Sequence, residues 1–151
     1  MKTILFLAIG VSLSIPDLVH AQAANPASFN GATTTKYHNQ EVYQLNSDEE
    51  AKIKATLKNI QNCLDDPRLK GNLEVELVVQ GAGIAGFQKD KSYEELIKNL
   101  QNQGVILAMC ENTMRERKVS KDDLSSFVSY VPNGNGELVI RQQQGWAFMH
   151  P

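Results

Sequence analysis

One cysteine stands where the sequence pattern favours chemistry. An apolar run at residues 105–109 is typical of a buried strand, and Cys110 follows it directly, ahead of a helix-like segment at residues 111–117. At such a junction, unpaired backbone N–H groups and the helix dipole stabilise negative charge. This setting favours the thiolate, which attacks electrophiles and carries sulfur. The alternative interpretation is a buried cysteine that packs as a small hydrophobic residue.

The neighbours of this cysteine complete a candidate site. The backbone N–H groups of Glu111, Asn112 and Thr113 are predicted to stabilise the sulfur anion, whereas the Glu111 carboxylate would oppose it unless it points away. A loop after the preceding strand, with Gly81, Gly83 and Ile84, is predicted to form one wall of the pocket. We therefore expect an anion-favouring thiol beside a glycine-rich loop.

The glycine loop also matches the dinucleotide-binding pattern G-x-G-x-x-G at Gly81, Gly83 and Gly86. Residues 87–91 separate it from the next predicted helix, so no helix N-terminus would hold a pyrophosphate. We therefore interpret the glycines as residues that let the loop approach the Cys110 edge. An anion-binding nest is the alternative.

The histidines offer little further chemistry. His38 and His150 lie at no metal-ligand spacing from a cysteine, so no metal site is predicted. A Ser-His-Asp site stays open, although no G-x-S-x-G motif occurs. No organic cofactor is predicted. If the last strand is parallel to the others, His150 would end at the Cys110 edge and could serve as a base. The alternative is an exposed terminal histidine. Trp146 and Phe148 are predicted to be core or subunit contacts.

Alternating strands and helices must position these residues. Helices are predicted to begin at capping boxes of Ser47 and Ser92, and a further capped turn at Ser120. Residues 132–145 fit either an Asn-Gly hairpin or a helix capped by Asn135, and the alternation favours the helix. Such alternation predicts an α/β fold with a mostly parallel sheet covered on both faces. The predicted strands are residues 41–45, 73–79, 105–109, 126–131 and 146–150.

The N-terminus predicts export. Residues 1–23 have the charge, apolar run and small residues of a signal peptide cleaved after Ala21 or Ala23, and an uncleaved anchor is the alternative. Residues 24–40 are predicted to be a flexible tail, and residues 41–151 the folded domain. We therefore expect a periplasmic protein that does not associate with the membrane after cleavage.

The charge of the chain argues against a nucleic-acid partner, and the positions of its two cysteines argue against a disulfide. The formal net charge is −2 and the basic residues are scattered, so nucleic acid is not an expected partner. Cys63 should lie at the end of the first helix, at the edge of the sheet opposite to Cys110. A disulfide requires Cα atoms within about 7 Å, so no bridge is predicted between them.

Four segments resemble the DsrE/DsrF-like (YchN-like) family in order. The most specific features are Cys110 with the Asn112-Thr113 pair, and the closing Gly-aromatic-x-aromatic-x-x-Pro at residues 145–151. The resemblance implies a flavodoxin-like sheet of about five strands and assembly into trimers or hexamers. It also implies sulfur relay through a persulfide at Cys110. The four segments are residues 78–84, 107–113, 131–134 and 143–151.

The sequence thus predicts an exported protein that handles sulfur at a single reactive cysteine, Cys110. It would act as a persulfide carrier or a sulfurtransferase-like relay, with a donor or acceptor protein or a small thiol as partner. The first alternative is a non-catalytic oligomeric binding module in which Cys110 is merely packed. The second is a thiol redox sensor.

Overall fold

A computed structural model describes residues 28–89 and 91–151 of the 151-residue chain. The predicted signal peptide lies outside the described residues. Contacts divide the chain into two units between Ala32 and Thr33, and every strand and helix named below belongs to the unit Thr33–Pro151. Within the described part of the chain, the helices are all too short or too polar to cross a lipid bilayer.

The folded unit alternates strands with helices, as the sequence pattern predicts. The strands are β1 (Asn39–Leu45), β2 (Leu73–Val79), β3 (Ile106–Cys110), β4 (Ser129–Val131) and β5 (Ala147–Met149). The α-helices are α1 (Glu50–Asp65), α2 (Glu94–Asn102), α3 (Glu111–Arg117) and α4 (Gly134–Gln143), with 3-10 helices at Gly81–Phe87 and Lys121–Asp123.

All neighbouring strands are parallel, in the order β4-β3-β2-β1-β5. The chain adds β2, β3 and β4 in one direction, so right-handed crossovers place α1, α2 and α3 on one face. It then returns past β1 to form β5, which places α4 on the opposite face. The prediction of a flavodoxin-like α/β fold of about five mostly parallel strands, with helices on both faces, is confirmed.

The two faces bury cores of unequal size. The larger core joins the helices of the first face to alternate strand residues such as Tyr43 and Leu77. On the opposite face, a small core is closed by one residue of α4 and by the predicted core residue Trp146. Its members are Val42, Val78, Ala108, Leu138 and Trp146. The α4 face of the sheet is therefore the thinner layer.

The strand boundaries differ from those predicted. β1 begins at Asn39, inside the predicted tail, because the Asn39 N–H donates to Asn72 O at 2.7 Å and extends the pairing with β2. β4 is shorter because the Val128 N–H donates to Ser125 O at 3.3 Å, which forms a turn where a strand was expected. β5 is reduced to Ala147–Met149, since Trp146 N–H still bonds to the last turn of α4.

Two of the predicted helix starts are wrong. The Ser47 hydroxyl accepts a hydrogen bond from Glu49 N–H at 3.2 Å, and α1 begins at Glu50 without a side-chain cap. α2 likewise begins after Tyr93, not at a cap formed by Ser92. The capped turn at Ser120 is confirmed by a capping box with Asp123.

Residues 132–145 form the helix, not the hairpin. The cap of α4 lies two positions earlier than predicted, because Asn133 Oδ1, rather than that of Asn135, accepts the capping hydrogen bond from Gly136 N–H at 3.1 Å. Gly145 ends the segment with a φ of +88°. This shift of the cap matters, because it brings the first residue of α4, Gly134, to the candidate site.

Candidate functional site at Cys110

Cys110 lies where two neighbouring strands, β3 and β4, lead into helices on opposite faces of the sheet. It is the last residue of β3 and the N-cap of α3, and it is 3% exposed. The neighbouring strand β4 leads into α4 on the opposite face of the sheet. In open α/β sheets, ligands bind at such a topological switch point, beyond the carboxyl ends of the strands.

Backbone donors from two helices converge on the thiol. Cys110 Sγ accepts hydrogen bonds from Gly134 N–H at 3.2 Å and from Thr113 N–H at 3.4 Å. The Thr113 hydroxyl accepts from Gly81 N–H at 2.9 Å, so its own proton is free to point at Cys110. Donors from the starts of α3 and α4, two helices that are far apart in sequence, therefore surround one sulfur atom, and Gly81 N–H orients the Thr113 hydroxyl.

These donors outweigh the effect of burial. Burial alone raises the pKa of the Cys110 thiol, because a thiolate is poorly solvated there. Hydrogen bonds from the Thr113 hydroxyl and from the backbone N–H groups of Thr113, Gly134 and Asn112 oppose it, and the pKa falls below its ordinary value. The thiol is buried among donors, not in hydrocarbon, so the structure favours the thiolate.

A polar cleft of about 420 Å³ opens beside Cys110. Five carboxamide side chains line it, one carboxylate from Glu116 borders it, and the described residues that line it include no lysine or arginine. The lining residues are Asn46, Gln80, Gly81, Cys110, Asn112, Thr113, Glu116, Asn133 and Asn135. The cleft can therefore accommodate a hydrogen-bonding group next to the thiol.

The structure brings together some of the predicted site residues. Asn112 and Thr113 line the cleft and supply N–H donors. The Glu111 carboxylate is turned toward Lys121, with an O–N distance of 3.2 Å, and it does not line the cleft. The condition that this charge should point away from the sulfur is therefore met.

The glycine loop plays two different parts. Gly81 lines the cleft, has a φ of +56°, and starts a 3-10 helix whose first N–H binds Thr113. Gly83 and Ile84 are buried and do not line the cleft, contrary to the prediction. A Cβ atom at Gly83 would lie 2.2 Å from the carbonyl oxygen of Leu45, so this glycine permits close packing on β1.

Two contributors to the site were missed by the sequence argument. Gly134 supplies a donor to Cys110, and a Cβ atom at Gly134 would lie 2.5 Å from Gln80 Oε1. Gln80 Nε2 in turn donates to Asn135 Oδ1 at 2.8 Å, which fixes the start of α4 against the end of β2. The Asn133-Gly134 pair at a helix start was the available signal.

His150 does not reach Cys110. β5 lies beside β1 and three strand positions from β3, which corresponds to about 14 Å at ordinary strand spacing. His150 instead lines a separate pocket with Cys63. Cys63 lies in the last turn of α1, as predicted, and its Sγ lies 3.4 Å from the Tyr43 hydroxyl. Both cysteines are free thiols.

No group of three or more His, Cys, Asp and Glu side chains in residues 28–89 and 91–151 is arranged to hold a metal ion. The predicted site thus consists of one thiol, hydrogen-bond donors and carboxamides.

Comparison with known proteins agrees with this architecture. The chain is similar to a solved protein of unknown function, MTH1491 from Methanobacterium thermoautotrophicum, with 29% identity and a TM-score of 0.70. The similarity covers 75% of this chain and 99% of that one. No curated protein matches the chain. The model of the DsrE/DsrF-like family matches residues 40–151, which include the whole sheet from the second residue of β1, and the chain therefore belongs to the DsrE/DsrF-like family.

Proposed function

We propose that the protein carries sulfane sulfur as a persulfide on Cys110. The DsrE/DsrF-like family is associated with sulfur relay, which gives the class of chemistry. The observation that carries the proposal is the set of donors on one sulfur atom, from Thr113, Gly134 and Asn112. These donors favour the Cys110 thiolate, which is the nucleophile when sulfur is accepted and the leaving group when sulfur is passed on.

The transfer step balances without a cofactor. The Cys110 thiolate attacks the outer sulfur of a donor persulfide, R–S–SH, and a new S–S bond forms as the donor S–S bond breaks. The leaving thiolate takes the proton, so the products are a Cys110 persulfide anion and R–SH. One sulfur atom at the oxidation level of elemental sulfur moves between two thiols, and a reversal of the step on an acceptor thiolate releases it.

The cleft supports a donor or acceptor that approaches from outside. Its carboxamide walls offer both hydrogen-bond donors and acceptors, and Glu116 is the acidic group at its border. Water is largely kept from the sulfur because Cys110 is buried. A carried persulfide would therefore be protected from solution oxidants until a partner thiol enters the cleft.

The test is persulfide trapping on the intact protein. The reduced protein is incubated with inorganic polysulfide, alkylated, digested and analysed by mass spectrometry for a gain of one sulfur atom on each cysteine peptide. We expect the gain on the Cys110 peptide and none on the Cys63 peptide. Burial raises the pKa of the Cys63 thiol, whose causes of shift include no backbone N–H donor. Cys63→Ser is the matched control and should load normally.

The outcomes separate the alternatives left open by the sequence. Equal loading of both cysteines, or no loading of Cys110 in the folded protein, would refute the carrier. Full biological activity of Cys110→Ser would favour the oligomeric binding module. Disulfide-linked subunits on non-reducing gels, without sulfur gain, would favour the redox sensor.

Assembly and export are also part of the proposal. Three large apolar side chains of α4 and β5, Val139, Ile140 and Phe148, are 41–52% exposed, which supports a homo-oligomer, a trimer or hexamer. Light scattering of the purified protein tests this, and a Val139→Glu variant should dissociate the assembly. Export to the periplasm is tested by sequencing the N-terminus of periplasmic protein, which should begin at residue 22 or 24.

A further inference from the structure

The cleft beside Cys110 carries charge of one sign. Of the residues that the structure describes along its wall, Glu116 supplies the one carboxylate, and none is a lysine or arginine. A sulfur compound that enters the cleft therefore meets two negative charges, one on the Cys110 thiolate and one on Glu116. Because no cation in the wall offsets these charges, they repel an anionic reactant and attract a cationic one.

The Glu116 carboxylate is held toward the end of α3 that bears the sulfur. Asn112 Nδ2 donates to Glu116 Oε1 at 2.8 Å, which draws the carboxylate back along the helix by one turn. Glu116 follows Cys110 by six residues, which corresponds to a helical rise of about 9 Å. This rise is below the screening length of about 10 Å at 0.1 M salt, so a reactant at the sulfur senses the carboxylate.

The neighbouring cation, Arg115, does not line the cleft. Its Nη2 donates to Asn112 Oδ1 at 2.8 Å, at the oxygen end of the same carboxamide that binds Glu116. Arg115 lines a separate pocket, together with Lys118 and Lys121. The Asn112 carboxamide therefore lies between a carboxylate that borders the cleft and a guanidinium that does not.

The backbone donors that could hold an anionic substrate are already in use. At the starts of α3 and α4, the N–H groups of Thr113 and Gly134 donate to Cys110 Sγ. The Gly136 N–H donates to Asn133 Oδ1 in the cap of α4. These donors stabilise the charge of the sulfur and satisfy the helix start, so they do not offset a second negative charge in the cleft.

We propose that the cleft selects small amino-thiols as sulfur donor or acceptor, in preference to anionic sulfur compounds such as thiosulfate. The inference rests on the proposed persulfide function of Cys110. The ammonium group of the amino-thiol faces the Glu116 carboxylate, and carboxamide oxygens of the wall accept its remaining N–H protons. A cleft of about 420 Å³ has room for a molecule of this size.

In the transfer, R–S–SH is the amino-thiol persulfide. The Cys110 thiolate takes its outer sulfur, and the leaving R–SH keeps the ammonium group. The preference is one of rate, so an excess of inorganic polysulfide still loads Cys110 with time. Cysteamine persulfide should therefore load Cys110 faster than the persulfide of 3-mercaptopropionate, which has a carboxylate in place of the ammonium group.

The test uses two methanethiosulfonate probes whose ethyl chains end in a trimethylammonium or a sulfonate group of similar size. Each forms a mixed disulfide with the thiolate and releases methanesulfinate. In the Cys63→Ser protein, the ratio of the two labelling rates at Cys110 is divided by the same ratio for free 2-mercaptoethanol. The thiolate population affects both probes alike and cancels. We expect a normalised ratio of at least about three in favour of the cation, which falls as salt is added.

Glu116→Gln should bring the normalised ratio to about one, because it removes the charge and keeps the shape. Arg115→Gln should change the ratio less, since Arg115 does not line the cleft. The matched control is Glu95→Gln, which removes an equal charge from the exposed surface of α2 and should have no effect.

Two kinds of failure can be told apart. A normalised ratio near one or below it in the parent, or a ratio that Glu116→Gln leaves unchanged, would overturn the amino-thiol selectivity, whereas labelling of Cys110 itself would leave the persulfide carrier standing. Absence of labelling at Cys110 by both probes and by the neutral methyl methanethiosulfonate would overturn the carrier as well.

Discussion

The Thr113 hydroxyl offers the sharpest test of how the fold prepares Cys110. Thr113 is 5% exposed, and its hydroxyl accepts from Gly81 N–H at 2.9 Å and donates to Cys110. Thr113→Val keeps the shape of the side chain and removes both hydrogen bonds. Thr113→Ser keeps the hydroxyl and is the matched control. The backbone donors of residues 113 and 134 remain in both variants.

The expected effect follows from the strength of one charge-assisted hydrogen bond. Such a bond contributes about 1.5–3 kcal/mol, and its lower end corresponds to a roughly tenfold smaller thiolate population at neutral pH. A less stabilised thiolate is more nucleophilic, and this raises the alkylation rate of each thiolate about threefold, which partly offsets the smaller population. The net result for Thr113→Val is alkylation of Cys110 about three- to fourfold slower at neutral pH.

The assay is the rate of iodoacetamide labelling of Cys110 as a function of pH, in a Cys63→Ser background. In alkaline solution, where the thiol is ionised in both proteins, Thr113→Val should instead react about threefold faster. The two pH–rate curves should therefore cross, and Thr113→Ser should follow the parent. Curves that coincide at every pH would show that the hydroxyl does not stabilise the thiolate. Uniformly faster labelling of Thr113→Val would show that loosened packing controls access.

Three further predictions concern the scaffold. Gly83→Ala should lower the free energy of unfolding by about 3 kcal/mol or more, measured by urea denaturation, because its Cβ would lie 2.2 Å from Leu45 O; a loss below about 0.5 kcal/mol would contradict this close packing. Arg141→Met should cost about 3–5 kcal/mol at pH 7, since Arg141 pairs with Glu76, which is 1% exposed; unchanged stability would contradict a buried pair. Burial raises the pKa of Glu76 despite the attraction of Arg141, so its contribution to stability is present below pH about 4.5 and is lost as pH rises through the folded pKa. The stability of the parent relative to Glu76→Gln should therefore fall with rising pH, and a rise would refute the assignment.

The sequence predicted the layers of the fold better than the ends of its elements. In α1, the apolar residues Ile53, Leu57 and Ile60 recur at helical spacing, and the structure buries all three. In α2, Leu96 and Ile97 are adjacent in sequence and spacing does not choose between them; the structure buries Ile97 and leaves Leu96 49% exposed. Helix caps were less predictable, since a serine near a helix start can bond to several neighbouring N–H groups.

The site was predictable only where it is local. Cys110, Asn112 and Thr113 lie within one strand-to-helix junction, and short-range geometry fixes their relative positions. Gly134 and Gln80 reach the site through the pairing of β3 with β4 and the return of α4. The Asn133-Gly134 pair signals a helix start, but it does not encode the contact of that helix with Cys110. The prediction that His150 could reach Cys110 failed for the same reason. The distance between them depends on the order of the strands in the sheet, which local sequence does not give.

A single helix on the thinner layer links distant parts of the molecule. The first residue of α4, Gly134, reaches Cys110 Sγ, while Arg141 near its other end stacks on Trp146 at 4.2 Å and anchors to the strand below. These ends are about 10 Å apart along the helix axis. Because the helix is rigid, a tilt imposed on its outer surface by a docked neighbour would change the N–S distance at the far end. A partner that docks on the outer surface of α4 would therefore change the pKa of the Cys110 thiol.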